Sequence, residues 1–151
     1  MTQRKILGTA AARIVLAAAL VAGAGAAEAA GARYFSFITH DGPLTYSPNE
    51  FVVEVRDPAL ADRYTRILRG DEKQRSVPFV AKVLAGRAPY NEGWSFHVDP
   101  ATLQPPADAS FQECSFSAED VEDHWWAVDD QILPDRTWCP WTMRLSREVK
   151  R

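Results

Sequence analysis

The sequence predicts an α+β domain with a mainly antiparallel sheet of about five or six strands, two helices packed on one side, and one disulfide. Three observations support this fold class. Short stretches rich in aromatic and β-branched residues recur along the chain, two segments carry helix-capping residues, and both cysteines lie in the second half. The chain of 151 residues is long enough for one domain.

The beginning of the chain has the layout of a secretory signal. A basic start is followed by an apolar run over residues 14–22, and cleavage is expected after Ala26 or Ala29. A bilayer-spanning helix needs ~20 apolar residues, so no stable membrane insertion is expected after cleavage. We predict a signal peptide over residues 1–29, a single globular domain over residues 30–151, and a secreted or periplasmic location.

The charge of the chain argues against nucleic acid as a partner. The formal net charge is −3, and removal of the basic leader makes the remainder more acidic. Binding to phosphates needs a clustered basic surface. The lysines and arginines are scattered along this sequence.

Cys114 and Cys139 are predicted to form a disulfide, because paired thiols are oxidised outside the cytoplasm. The alternative is a zinc site, which would have to recruit His97 or His124 to two widely spaced cysteines. Because the chain has no CxxC pair, we favour the disulfide and expect no cofactor or metal.

The first half of the domain predicts two strands and a helix. Residues 34–38 and 51–55 are rich in aromatic and β-branched residues, which favour strands. Asp57 is a suitable N-cap for the helix, Pro58 fits its first position, and Gly70 can end it in the left-handed conformation. The apolar face of this helix comprises Leu60, Ala61, Tyr64, Ile67 and Leu68.

Three further strands are predicted over residues 79–84, 94–98 and 110–114. Apolar and polar residues alternate strictly in the second of these segments. Side chains of a strand point alternately to its two faces, so His97 and Asp99 should share one face.

A second helix is predicted to begin at Ser117, with Asp120 completing a capping box. It should continue through Ile132 and end at Pro134. Residues 143–149 alternate again and predict the closing strand. The apolar stripe of the second helix comprises Val121, Trp125, Val128 and Ile132.

Two alternatives to a binding role arise from particular residues. His97 and Asp99 on one strand face suggest a small extracellular hydrolase, since acid–base catalysis needs titratable groups near the reacting proton. However, no serine lies in a G-x-S-x-G turn, and two-residue spacing on one strand does not produce a catalytic triad. The other alternative is a protease-inhibitor-like domain that uses the loop at Pro89.

Four blocks of the sequence together resemble a known family. They resemble the N-terminal domain family of the slime-mould calmodulin-binding protein BP-seventy-four, which includes small exported bacterial proteins. The resemblance spans residues 34–149 and implies a compact secreted domain without assigned catalytic residues. The blocks are Pro89-Tyr90-Asn91-x-x-Trp94-Ser95-Phe96-His97-Val98-Asp99-Pro100, Val121-Glu122-Asp123-His124, Leu133-Pro134 and Trp138-Cys139-Pro140-Trp141-x-x-Arg144-Leu145, with Cys114 between the first and the second.

The calmodulin-binding label of that family is not carried over to this chain. Calmodulin targets are basic amphipathic helices with bulky apolar anchors. The first predicted helix approaches this pattern through Arg63, Arg66 and Arg69, but its apolar face is needed for the core.

We predict a non-enzymatic binding module whose partner is an extracellular protein or glycan. Rigid aromatic side chains beside polar loop residues suit stacking on a sugar or anchoring on a protein. The alternative is that the tryptophans pack in the core and around the disulfide. The predicted binding residues are Tyr90, Asn91, Trp94, His97, Asp99, Trp138, Trp141 and Arg144.

Overall fold

A computed structural model describes residues 31–39, 50–75, 77–105 and 114–151. Within these residues the chain forms strands, α-helices and short irregular helical turns, which confirms the α+β class. The strands are β1 (Arg33–Thr39), β2 (Glu50–Val55), β3 (Ala81–Ala85), β4 (Phe96–Val98), β5 (Thr137–Trp138) and β6 (Met143–Val149), and the helices are α1 (Pro58–Arg69) and α2 (Ala118–Asp123).

The strands are divided between two antiparallel sheets rather than joined in one. The first sheet has the order β2-β1-β6, and the second has the order β4-β3-β5. Phe51 of β2 contacts Phe96 of β4 and Trp138 of β5, with ring centroids 5.1 and 5.0 Å apart. The two sheets therefore bury their apolar residues in a shared core.

A continuous series of aromatic contacts runs through this core. Tyr64 of α1 contacts Phe37 at 5.5 Å, Phe37 contacts Phe79 at 5.0 Å, and Phe79 contacts Trp138 at 5.4 Å between centroids. These pairs meet edge to face, which is a favoured arrangement for aromatic quadrupoles. Burial raises the pKa of Tyr64, whose hydroxyl donates to the carbonyl of Pro78.

Helix α1 has the caps that the sequence predicts. The side chain of Asp57 accepts a hydrogen bond from the amide of Ala59 at 2.9 Å, and Pro58 occupies the first turn. Gly70 ends the helix at φ 83°, where a residue with a Cβ would be strained. The predicted face is buried at Leu60, Ala61 and Tyr64 and partly buried at Ile67, whereas Leu68 is exposed.

Helix α2 begins as predicted but is shorter than predicted. Ser117 and Asp120 form the capping box in both directions. The helix ends at Asp123, and the chain continues through a 3-10 turn (Trp125–Ala127) and a π-helical turn (Val128–Ile132). The ring of Trp125 stacks on Phe96, 5.4 Å away.

The expectation of one regular helix up to Pro134 is therefore wrong, and tertiary packing supplies the reason. Trp125 begins the 3-10 turn and stacks on Phe96 of β4. The turns of different tightness that follow still place Val121, Trp125, Val128 and Ile132 against the core.

The other predicted strands correspond to β1, β2, β3, β4 and β6, with ends that differ by a few residues at most. The sequence pattern does not predict the two-residue strand β5, because a segment this short has no measurable periodicity. The predicted strand over residues 110–114 lies outside the described residues except for Cys114.

A polar network crosses the outer face of the first sheet. Ser36 of β1 is fully buried, and its hydroxyl donates to the carboxylate of Glu50 on β2. The Nε and Nη2 atoms of Arg147 on β6 donate to the two oxygens of the same carboxylate, at 2.7 and 2.6 Å. These bonds stabilise the charged form, so the pKa of Glu50 lies below its usual value, mainly because of Arg147.

We expect this network to make the domain less stable in acid. Because the pKa of Glu50 is lower in the folded than in the unfolded state, its contribution is complete above pH ~4.5 and is lost as the pH falls through the folded-state value. Glu50→Gln should remove up to about 1 kcal/mol of stability at neutral pH and flatten the profile below pH ~4.5. Urea denaturation between about pH 3 and pH 7 measures both effects.

The exposed Glu92 provides the control for this experiment, since Glu92→Gln removes a carboxylate elsewhere. Its profile should follow that of the wild type. An unchanged profile for Glu50→Gln would show that the network does not contribute to stability.

Candidate functional site

The predicted disulfide between Cys114 and Cys139 is present. The Cα atoms are 5.2 Å apart, and the amide of Cys139 donates to the carbonyl of Cys114 at 2.9 Å. Both residues are buried. The bond joins the segment before α2 to the segment after β5, so it holds the connection between β5 and β6 against the core.

Three predicted binding residues hold the loop between β3 and β4 onto the edge of β2. The side-chain oxygen of Asn91 accepts from the amide of Val52 at 3.0 Å, and the indole of Trp94 donates to the carbonyl of Glu50 at 3.0 Å. Tyr90 packs on Tyr34 with centroids 5.1 Å apart, and burial raises its pKa to about 12. These side chains are buried, so they cover the β2 edge rather than face solvent.

His97 lies on β4, Asp99 directly follows this strand, and both residues are partly exposed. Each has a different hydrogen-bonding partner. The Nδ1 atom of His97 is 2.8 Å from the carbonyl oxygen of Gly86, and the carboxylate of Asp99 accepts from the amide of Ala101 at 2.9 Å. Both side chains therefore stabilise the turns that flank β4.

Trp138 is fully buried at the centre of the core. Its indole donates to the carbonyl of Phe116 at 2.8 Å. A ligand could touch this ring only if the core opened, so Trp138 supports the surroundings of the site rather than its surface.

Trp141 and Arg144 are the predicted residues that the structure brings together in a concave surface. They line a cleft of about 440 Å³ between the C-terminal end of α1, the loop that follows it, and the beginning of β6. This volume is in the range of small-ligand sites, ~300–1,000 Å³. The other lining residues are Ile67, Glu72, Gln74, Arg75, Met143 and Leu145.

A family comparison covers all of these elements. The sequence profile of the BP-seventy-four N-terminal domain matches residues 31–151. The chain belongs to the BP-seventy-four N-terminal domain family. No curated protein and no solved structure matches it.

The charges around the cleft of this BP-seventy-four N-terminal domain are unequal. The carboxylate of Glu72 accepts from Nε of Arg63 at 2.7 Å and from Nη2 of Arg66 at 3.3 Å. The bond from Arg63 is the main reason that the pKa of Glu72 is lowered. Since α1 already balances this negative charge, the exposed Arg144 gives the cleft a positive charge.

The floor of the cleft is apolar and includes an unpaired donor. Met143 is buried, and Ile67, Trp141 and Leu145 are partly buried. The indole nitrogen of Trp141 is itself buried and has no hydrogen-bond partner within the described part of the chain. Buried polar atoms normally have a partner, so this nitrogen is an exception among the buried polar groups.

The sequence pattern does not predict most of the residues that line the cleft, including Gln74. The groups bonded to its side chain are 69 and 71 residues away in the chain. A single glutamine in a charged loop has no local pattern that could predict such a contact.

The described residues form neither a group suited to a metal ion nor a membrane-spanning helix. Among these residues no group of three or more His, Cys, Asp and Glu side chains could hold a metal ion. In the same part of the chain, no helix has the length and apolarity to cross a membrane.

Proposed function

We propose that this BP-seventy-four N-terminal domain is an exported binding domain that holds its ligand in the cleft between α1 and β6. The observation that carries the proposal is the cleft itself, which combines an apolar floor with a positive rim and includes Trp141 and Arg144. Sites for small ligands and peptide side chains commonly combine an apolar lining with a few polar groups.

The position of His97 and Asp99 outside the cleft favours binding over hydrolysis as the function of the cleft. A general base must reach the proton that it abstracts. The Nδ1 atom of His97 and the carboxylate of Asp99 each hold a local backbone group, and both residues lie outside the set that lines the cleft.

The export part of the proposal is supported by the disulfide and by the leader-like start of the chain. Disulfides persist mainly in oxidising compartments. A rigid connection between β5 and β6 also suits binding, because a preformed site loses less conformational entropy when a ligand is bound.

We expect charge reversal at the cleft to abolish ligand capture. The oxidised domain is immobilised and screened against a displayed peptide library and a glycan array. For the ligands so obtained, Arg144→Glu should weaken binding at least about tenfold, or ~1.4 kcal/mol. Arg144 is exposed, so the variant should unfold at the same urea concentration as the wild type.

Arg87→Glu is the matched control, since Arg87 is also exposed and lies in the loop after β3, outside the lining of the cleft. It should bind as the wild type does. Equal binding by wild type and Arg144→Glu, or equal losses in both variants, would contradict a binding site in the cleft.

A further inference from the structure

The two edges of the first sheet are covered in different ways. At β2, a whole loop is held in place through the side chains of Asn91 and Trp94. At β6, the described part of the chain contributes no further strand. There the side-chain amide of Gln74 donates to the carbonyl of Met143 at 3.2 Å and accepts from the amide of Leu145 at 2.6 Å.

The amide of Gln74 makes the same pair of hydrogen bonds that one residue of a neighbouring parallel strand would make. It donates to Met143 and accepts from Leu145, the residues on either side of Arg144, whereas in an antiparallel pair both bonds go to a single opposite residue. A side-chain amide has one carbonyl and one NH₂ group, so it can imitate one such unit but not a row of them. The outer edge of β6 therefore has the geometry that accepts a strand.

We propose that the edge of β6 binds an extended acidic peptide of a partner protein by strand addition, and that the peptide backbone replaces the side-chain amide of Gln74. This inference deepens the proposed function and rests on it. Strand addition obtains its affinity from backbone hydrogen bonds and its specificity from alternate side chains.

The charges of the cleft select an acidic peptide. Arg144 lines the cleft, is exposed and has no ion pair within the described residues. The negative charge of Glu72 is already balanced by Arg63 and Arg66. Like charges placed side by side across an interface cost free energy, so a basic peptide would be excluded.

The apolar floor of the cleft favours apolar side chains at every second position of the peptide. Successive residues of a strand point to opposite faces. One face of the added strand would lie over the cleft floor at Ile67 and Leu145. The expected ligand therefore alternates apolar and acidic residues.

A second copy of this chain is a poorer occupant of the same edge. Pairing of two β6 strands would bring the arginines of one copy, Arg144 and Arg147, beside those of the other. Cross-strand pairs of like charge are destabilising.

The test uses a short synthetic peptide of alternating Val and Glu with blocked ends. The oxidised domain is isotope-labelled and titrated by amide NMR, with calorimetry for the affinity. Binding is expected, with the amide of Leu145 among the largest shifts, because this amide exchanges a side-chain acceptor for a backbone one. Methylation of alternate peptide nitrogens should weaken binding at least about tenfold, since each methyl group removes a donor.

Two further comparisons address charge and the amide of Gln74. Lys in place of Glu in the peptide should also weaken binding at least about tenfold. Gln74→Ala should bind the Val-Glu peptide several times more tightly than the wild type, because the competing amide is gone. Gln104→Ala, an exposed glutamine outside the cleft, should bind as the wild type does.

Several results would overturn the inference. Equal binding of the methylated peptide excludes strand addition, and equal binding of the Lys peptide excludes selection by charge. A dimer in sedimentation experiments that protects the Leu145 amide would assign the edge to a second copy. If the Val-Glu peptide fails while ligands that depend on Arg144 are still captured, the inference fails and the proposed function stands; if no ligand depends on Arg144, the proposed function fails.

Discussion

Trp138→Ala is expected to destabilise the domain by about 3–5 kcal/mol, as other large-to-small substitutions of buried aromatic residues do. The side chain is 0% exposed. Its ring contacts Phe51 at 5.0 Å, Phe79 at 5.4 Å and Phe96 at 5.7 Å between centroids. Alanine would leave a cavity between the two sheets, and the carbonyl of Phe116 would lose its donor.

This loss is large compared with the total stability of an ordinary domain, about 5–15 kcal/mol. Urea denaturation of the oxidised protein measures it directly. Trp126→Ala is the matched control, because Trp126 is 78% exposed. It should change the free energy of unfolding by less than about 0.5 kcal/mol.

Both variants replace tryptophan by alanine, so the difference between their free energies of unfolding measures the effect of burial. A loss of less than about 1 kcal/mol for Trp138→Ala would contradict the position of this ring in a shared core. Equal losses in the two variants would do the same.

Removal of the disulfide is expected to have the second largest effect. Cys114 and Cys139 are 25 residues apart, and a loop of that length corresponds to about 3.5 kcal/mol in the chain-entropy treatment of cross-links. The double variant Cys114→Ala/Cys139→Ala should therefore unfold at a much lower urea concentration than the oxidised wild type.

Reduction of the wild type supplies an independent measurement of the same bond. The reduced wild type should be close in stability to the double variant, and a reductant should leave the variant unchanged. A double variant as stable as the oxidised wild type would show that the packing around Cys139 holds the segment without the bond.

The same variant connects stability to the proposed site. Trp141 and Arg144 follow Cys139 within a few residues, and the segment that carries them begins at the disulfide. In the absence of urea, the folded double variant should bind ligand more weakly than the wild type, because a looser segment loses more entropy on binding.

Helix α1 shows how much of this fold follows from local rules. An N-cap, a proline in the first turn and a glycine after the last turn each act on the backbone within a few residues. The alternation over residues 94–98 is equally local, and Trp94, Phe96 and Val98 are all buried as the pattern predicts.

The end of α2 and the burial of Trp138 could not be predicted in this way. His124 and Trp125 continue a helical pattern in the sequence, but Trp125 lies on Phe96, a residue of β4. Trp138 is a tryptophan in a loop-like segment of the sequence, and only the meeting of the two sheets encloses it. The sequence pattern alone predicts Trp138 in a binding surface, because the neighbouring residues in the chain do not determine whether its side chain is buried.

The predicted binding residues lie in different parts of the fold, because their burial also depends on tertiary packing. Tyr90, Asn91 and Trp94 close an edge of the first sheet, and His97 and Asp99 hold turns in the second. Trp141 and Arg144 enter the cleft because β6 passes the end of α1. Their partner in the cleft, Gln74, is 71 residues from the amide to which it is bonded.

Local sequence rules are enough to specify the α+β class, both caps of α1, the capping box of α2 and the pairing of Cys114 with Cys139. Caps and strand alternation depend on interactions within one or two turns of chain, and the pairing follows because the chain has only two cysteines. The division into two sheets, the early end of α2 and the cleft beside β6 arise only in the folded molecule. Those features depend on which distant apolar surfaces meet, and this choice is made by the packing of the whole core.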